Sequence, residues 1–188
     1  MNISRAELLL RGAAGTGAAL AGPLVSRALA QEGGGDAGVL RFALTLERLE
    51  LALYEHAARL ELSPEVRDVA REFGGHQRAF VDALVGALRD AGAAPGPTPR
   101  FAFLNAGEPI FLVQAAAVED LGVAALNGAA PLIESKELLA VAGSIVATEA
   151  AHAVTWRMLA GENPTVAAFD ERFGRARVLR ELGPFVVG

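Results

Sequence analysis

The chain has 188 residues, 52% of them hydrophobic, a net charge of −5 and no cysteine. That length is enough for one domain with a sizeable core, and the lack of cysteine excludes disulfide frameworks, thiolate metal sites and cysteine nucleophiles. The acidic balance, without a basic run or aromatic-basic interleaving, speaks against nucleic acid as a partner. A composition rich in Ala, Leu and Val and poor in aromatics favours closely packed helices.

Residues 1–30 read as an export signal. Arg5 stands near the start, a weakly apolar stretch runs from Leu8 to Val25, and Ala28-Leu29-Ala30 offers the small residues of a signal-peptidase site before Gln31. Ser4-Arg5 followed by Leu8-Leu9-Leu10 resembles a twin-arginine signal, with Ala6 where the second arginine would stand. Residues 31–37, containing Gly33-Gly34-Gly35, form a flexible linker, and residues 38–188 form the domain. No later run reaches the roughly 18 uninterrupted apolar residues that span a bilayer. The expected location is therefore the periplasm, cell envelope or exterior, with membrane contact only through an uncleaved N-terminal segment.

The domain reads as four long helices. Leu40, Leu44, Leu46, Leu49, Leu53, Ala57 and Leu60 recur at helical spacing and predict a first helix over 38–60. Ser63-Pro64-Glu65 starts a second: serine caps, proline fits the first turn and glutamate suits the positive end of the dipole. It runs to Ala91, with Gly74-Gly75 as a weak point tolerated where a neighbour packs close. Pro95, Pro97 and Pro99 mark residues 92–107 as a long loop, which can reach roughly 50 Å when extended, longer than a 25-residue helix at about 37 Å. Such a loop can cross the whole bundle. Glu108-Pro109 opens a third helix to about Asn127, Ser135 caps a fourth to about Ala160, and Arg175–Leu182 is a short amphipathic tail piece.

A few polar residues fall where helical spacing demands apolar ones. The neighbours of Glu119 one and two turns away are Leu112, Ala115, Ala116, Gly122, Val123 and Leu126. Those of Glu149 are Ala142, Ile145, Val146, His152, Ala153 and Trp156, and those of Glu47 are Leu40, Ala43, Leu44, Glu50, Leu51 and Tyr54. Three glutamates and one histidine thus face the interior from three helices. A buried unpaired carboxylate costs several kcal/mol, so a metal ion, protonation or hydrogen bonds must compensate. Glu47, Glu119, Glu149 and His152 offer a mixed oxygen and nitrogen set for one iron, manganese or zinc ion.

The stretches Phe42–Glu50, Val118–Ala125 and Gly128–Ile133, with Ala168-Phe169-Asp170, resemble the bacterial ferritin-like domain family, which includes relatives of plant desiccation-related proteins. The resemblance implies an all-α, antiparallel four-helix bundle with a long crossover between helices 2 and 3 and a short C-terminal helix. It also implies a di-metal site built from Glu on helices 1 and 3 and Glu-x-x-His on helices 2 and 4. Glu47, Glu119, and Glu149 with His152 match; Gln77 and Phe80 replace the second-helix pair, which degrades the site. His76 is a substitute ligand or, as the preferred reading, is bonded to Glu72. Glu50 and Asp120 are further ligands or, preferably, rim residues; His56 reads as solvated, and Gly86, Gly122 and Gly143 as helix-packing positions. The leading expectation is an exported, non-storage protein linked to desiccation or oxidative stress, with no assigned catalytic residue. A metal-free structural or interaction protein is the alternative, and a di-metal oxidase or peroxidase the weaker one. Homo-oligomerisation stays open.

Overall fold

The computed structural model describes residues 34–187; the export signal and most of the linker expected from sequence lie outside them. Four long helices follow in order: α1 (Asp36–Ala57), α2 (Pro64–Asp90), α3 (Glu108–Ala129) and α4 (Lys136–Leu159), then a short α5 (Arg175–Leu182). No extended strand occurs among the described residues; a single antiparallel bridge joins Phe101 to Val186.

Local chemistry sets the helix ends. Ser63 Oγ accepts from the Val66 amide with Pro64 in the first turn of α2, and Ser135 Oγ accepts from the Leu138 amide at α4. Gly92 and Gly161, at φ 67° and 69°, take the left-handed conformation that ends α2 and α4. The first helix stops at Ala57, three residues before the predicted end. There Arg59 and Leu60 donate to carbonyls three residues back and tighten the chain into a turn. Gly74-Gly75 leaves α2 unbroken, because a Cβ on Gly74 would lie 3.0 Å from Tyr54 Cβ: the glycine lets α1 approach.

Hydrogen bonds trace the connectivity. Arg41 and Arg48, two turns apart on α1, donate to the carbonyls of Ala94 (2.8 Å) and Pro97 (3.2 Å), so the crossover runs along α1. The Ser63 amide, at the start of α2, donates to Glu108 at the start of α3 (2.5 Å). Helices α2 and α3 therefore begin at the same end, and residues 91–107 cross the bundle between them, as expected. At the other end Asp36, opening α1, accepts from the Glu134 and Ser135 amides ahead of α4 (2.7 and 3.0 Å). The tail clamps the crossover: Ala102 donates to Phe185 O and Val187 to Arg100 O, both at 2.9 Å. On its way the tail crosses α3, where Phe173 donates to Ala124 O at 2.9 Å and its carbonyl occupies the space a side chain on Gly128 would fill.

The interior holds two apolar clusters. One gathers Leu49, Leu53, Phe73, Phe111 and Trp156; the other gathers Leu40, Leu44, Leu84, Leu88, Leu126 and Ile145. Glu47 on α1, Gln77 on α2, Glu119 on α3 and Glu149 on α4 lie in sequence between these named members, with Glu50 one turn after Glu47, and all are fully or almost fully buried. They form a polar layer across the middle of the bundle.

Candidate metal centre

Each long helix delivers its polar residue inward on the stripe that otherwise carries leucine, alanine or phenylalanine. Oxygen atoms of Glu47, Glu50 and Glu149 lie within 4.8 Å of one another, all three side chains buried. Gln77 Nε2 donates to Glu50 Oε2 at 2.7 Å. Both oxygens of Glu47, both of Glu149 and Oε1 of Gln77 are buried without a hydrogen-bond donor. Ionised, Glu47 and Glu149 can reach no donor at all; their oxygens can bond to each other only through a carboxyl proton.

The electrostatics follow from that crowding. Burial, the largest cause, lifts Glu47 from the usual 4.5 to about 8; proton sharing with Glu149 offsets part of this and the charge of Glu119 adds to it. Burial, and then the charges of neighbouring glutamates, push Glu50 and Glu149 well above the usual range in the same direction. The layer therefore demands either protons or a cation.

Glu119 and His152 form the adjoining half. His152 Nδ1 lies 3.3 Å from Glu119 Oε2, and its Nε2 lies 2.9 Å from His76 Nδ1. Tyr54 donates to the other Glu119 oxygen and accepts from Trp156 Nε1 at 3.0 Å. A hydrogen-bonded chain thus runs from half-buried His76 through His152, Glu119 and Tyr54 to Trp156, with the Phe73 ring stacked on His152 at 3.8 Å. Burial, then the adjacent Glu119, holds the Tyr54 phenol protonated well above its ordinary range.

Of the expected set, Glu47 and Glu149 meet in the carboxylate trio, while Glu119 and His152 stand beside it, bonded to each other. Three preferred readings of single residues are corrected. Glu50 is no rim residue: it is buried and completes the trio. Its signal was its place one turn after Glu47 on the same face. His76 turns to His152. His56 packs its ring against Phe103, centroids 5.6 Å apart, and burial lowers its pKa below 6.5. Asp120 is indeed peripheral, paired with Arg157 NH1 at 2.6 and 2.8 Å.

Gly122 does more than admit a neighbouring helix. A Cβ there would lie 3.0 Å from Glu149 Oε2, 3.1 Å from Glu149 Cδ, and in collision with Glu50 Oε1. The absent side chain is the room the carboxylates occupy. Gly122→Ala is expected to displace both, weakening any cation binding by the layer, while the helix gains up to about 1 kcal/mol in propensity. Titration calorimetry beside a denaturation curve separates the two effects.

A groove of about 790 Å³ along α1 and α2 is walled by Arg67, Asp68, Arg71 and Arg78, with none of the trio on its lining.

A helical bundle with one long crossover and a buried polar layer, carboxylates from α1, α3 and α4 and an amide from α2, is of the ferritin-like class. The chain belongs to the ferritin-like domain family, whose model matches residues 35–162. A conserved hypothetical protein from Mycobacterium tuberculosis shares the fold with a TM-score of 0.61 and 19% identity, over 70% of this chain and 94% of that one. No curated protein matches.

Proposed function

We propose that this protein is an exported ferritin-like protein that binds one divalent cation in the carboxylate layer. Glu47, Glu50 and Glu149 hold the ion, with Gln77 Oε1 as a fourth oxygen. The observation that carries this reading is the set of buried oxygens on Glu47, Glu149 and Gln77 that have no donor. A cation supplies the missing partner for all of them, and the donor chemistry fits. Both ring nitrogens of His152 are engaged, by Glu119 and His76, so the donors are oxygens alone. Of iron, manganese and zinc, manganese suits an all-oxygen set best. Glu119 and His152, expected among the ligands, then fix the edge of the site and its charge. With Phe80 and Gln77 in place of a second-helix Glu-x-x-His pair, the layer suits a single ion rather than two.

Export rests on the N-terminal segment and a stress or desiccation role on the family resemblance. Binding without turnover is the reading that needs no further group. Thermal unfolding with and without Mn²⁺ tests it: saturating ion at 100 times its Kd adds about 2.7 kcal/mol of stability, seen as an upward Tm shift that chelator reverses. An unchanged Tm with every ion supplied would leave a metal-free bundle.

A further inference from the structure

The four long helices do not close on one another at the end of the bundle where α1 begins. Helix α2 packs chiefly on α1 and α4 chiefly on α3, and α2 and α4 meet at few places. A cavity of about 130 Å³ lies at that seam. Its inner wall is buried Leu40 and Ala43 of α1, Leu84 of α2, Leu126 of α3 and Ile145 of α4. Half-buried Ile133 and Leu138, with Val141 at 45% exposure, stand on its outer side. Ala43, Ala87 and Ala142, from three different helices, stop short where a leucine would fill the space. Asp36 is the one polar side chain on the wall, and each of its oxygens already accepts an amide, from Glu134 and from Ser135.

We infer that this cavity is a binding site for one small, uncharged, apolar molecule of about the size of benzene. Volume and wall chemistry carry the inference together. Apolar cavities of about 150 Å³ lined by aliphatic and aromatic side chains stay dry and take up benzene or xenon, and this one is close to that size. Sites for drug-sized ligands occupy roughly 300–1,000 Å³, so a lipid tail or an organic cofactor does not fit. Water is a poor occupant, because it needs about two to four polar partners and the wall offers one carboxylate that is already engaged. A void costs stability in proportion to its volume, and an apolar guest that fills it leaves water as it does so. Ala43 and Ile145 each stand one turn before Glu47 and Glu149, about 6 Å along the helix, so the guest sits next to the polar layer. None of Glu47, Glu50, Gln77 and Glu149 lines the cavity, and the site goes beyond cation binding without depending on it.

Isothermal titration of the full chain with benzene, run in chelator, reads this directly, and its result does not depend on whether the layer holds a cation. The expected result is saturable binding of one benzene per chain, with a Tm that rises as benzene is added. Ala142→Leu fills the space from α4 and should weaken binding at least about tenfold, with its folding checked by circular dichroism. A second readout needs no variant. Nuclear Overhauser contacts from bound benzene should reach the methyl groups of Leu126 and Ile145, which line the cavity, and not those of Leu51 and Leu62 in the groove along α1 and α2. No saturable binding, equal binding by folded Ala142→Leu, or contacts confined to Leu51 and Leu62 would overturn the inference.

Discussion

Stripped of metal, the protein is expected to lose stability steadily as the pH rises from 4.5 to about 8, the interval between the ordinary and the raised pKa of Glu47. In that window Glu47 is ionised in the unfolded chain but still protonated in the fold. The native state therefore binds the extra proton, and each pH unit costs about 1.4 kcal/mol for this one group. Its contribution is complete below 4.5 and gone once the pH has passed 8. Glu50 and Glu149, raised in the same direction, steepen the slope. Against a total stability of about 5–15 kcal/mol for a domain, this is a large effect. Urea midpoints at several pH values in chelator measure it. With Mn²⁺ present the slope should flatten or reverse, because the ion takes ionised carboxylates and competes with their protons. A pH-independent midpoint in chelator would mean the trio is not buried as described.

The double variant Glu47→Gln/Glu149→Gln is expected to separate function from stability. Removing two of three carboxylates should weaken cation binding by more than a hundredfold. The same change removes two buried groups that lack donors when ionised, so the metal-free variant at pH 8 should be about 1–4 kcal/mol more stable than the parent. A structural ion pair would behave oppositely, since breaking it destabilises. His152→Ala serves as the counterpart: it breaks the chain to Glu119 and His76 and should cost stability while leaving Mn²⁺ bound. Calorimetric titration and denaturation of the three proteins give both readouts.

Much of this arrangement was legible in the order of residues. Apolar spacing, Ser63-Pro64 and Ser135, and the prolines after Gly92 are local signals, and local chemistry sets helix ends and loops. The inward aim of Glu47, Glu119 and Glu149 followed from their neighbours on one helix. What did not follow was which inward groups meet, because rotation and relative height of packed helices are set by contacts between helices. Glu50 was hidden that way: its neighbours suit either a rim or a core, and only Gly122 on α3 makes the space that draws it in. His76 sits at the edge of the inward face, and its partner, His152, belongs to another helix.

The central claim is that the buried trio is a cation site, and the most direct test is the metal content of the purified protein after dialysis against manganese, iron(II) and zinc in turn. The account predicts close to one ion per chain, manganese retained, and none in Glu47→Gln/Glu149→Gln. No ion in the parent, or equal retention by the double variant, would contradict it and leave the layer as a set of carboxyls that share protons.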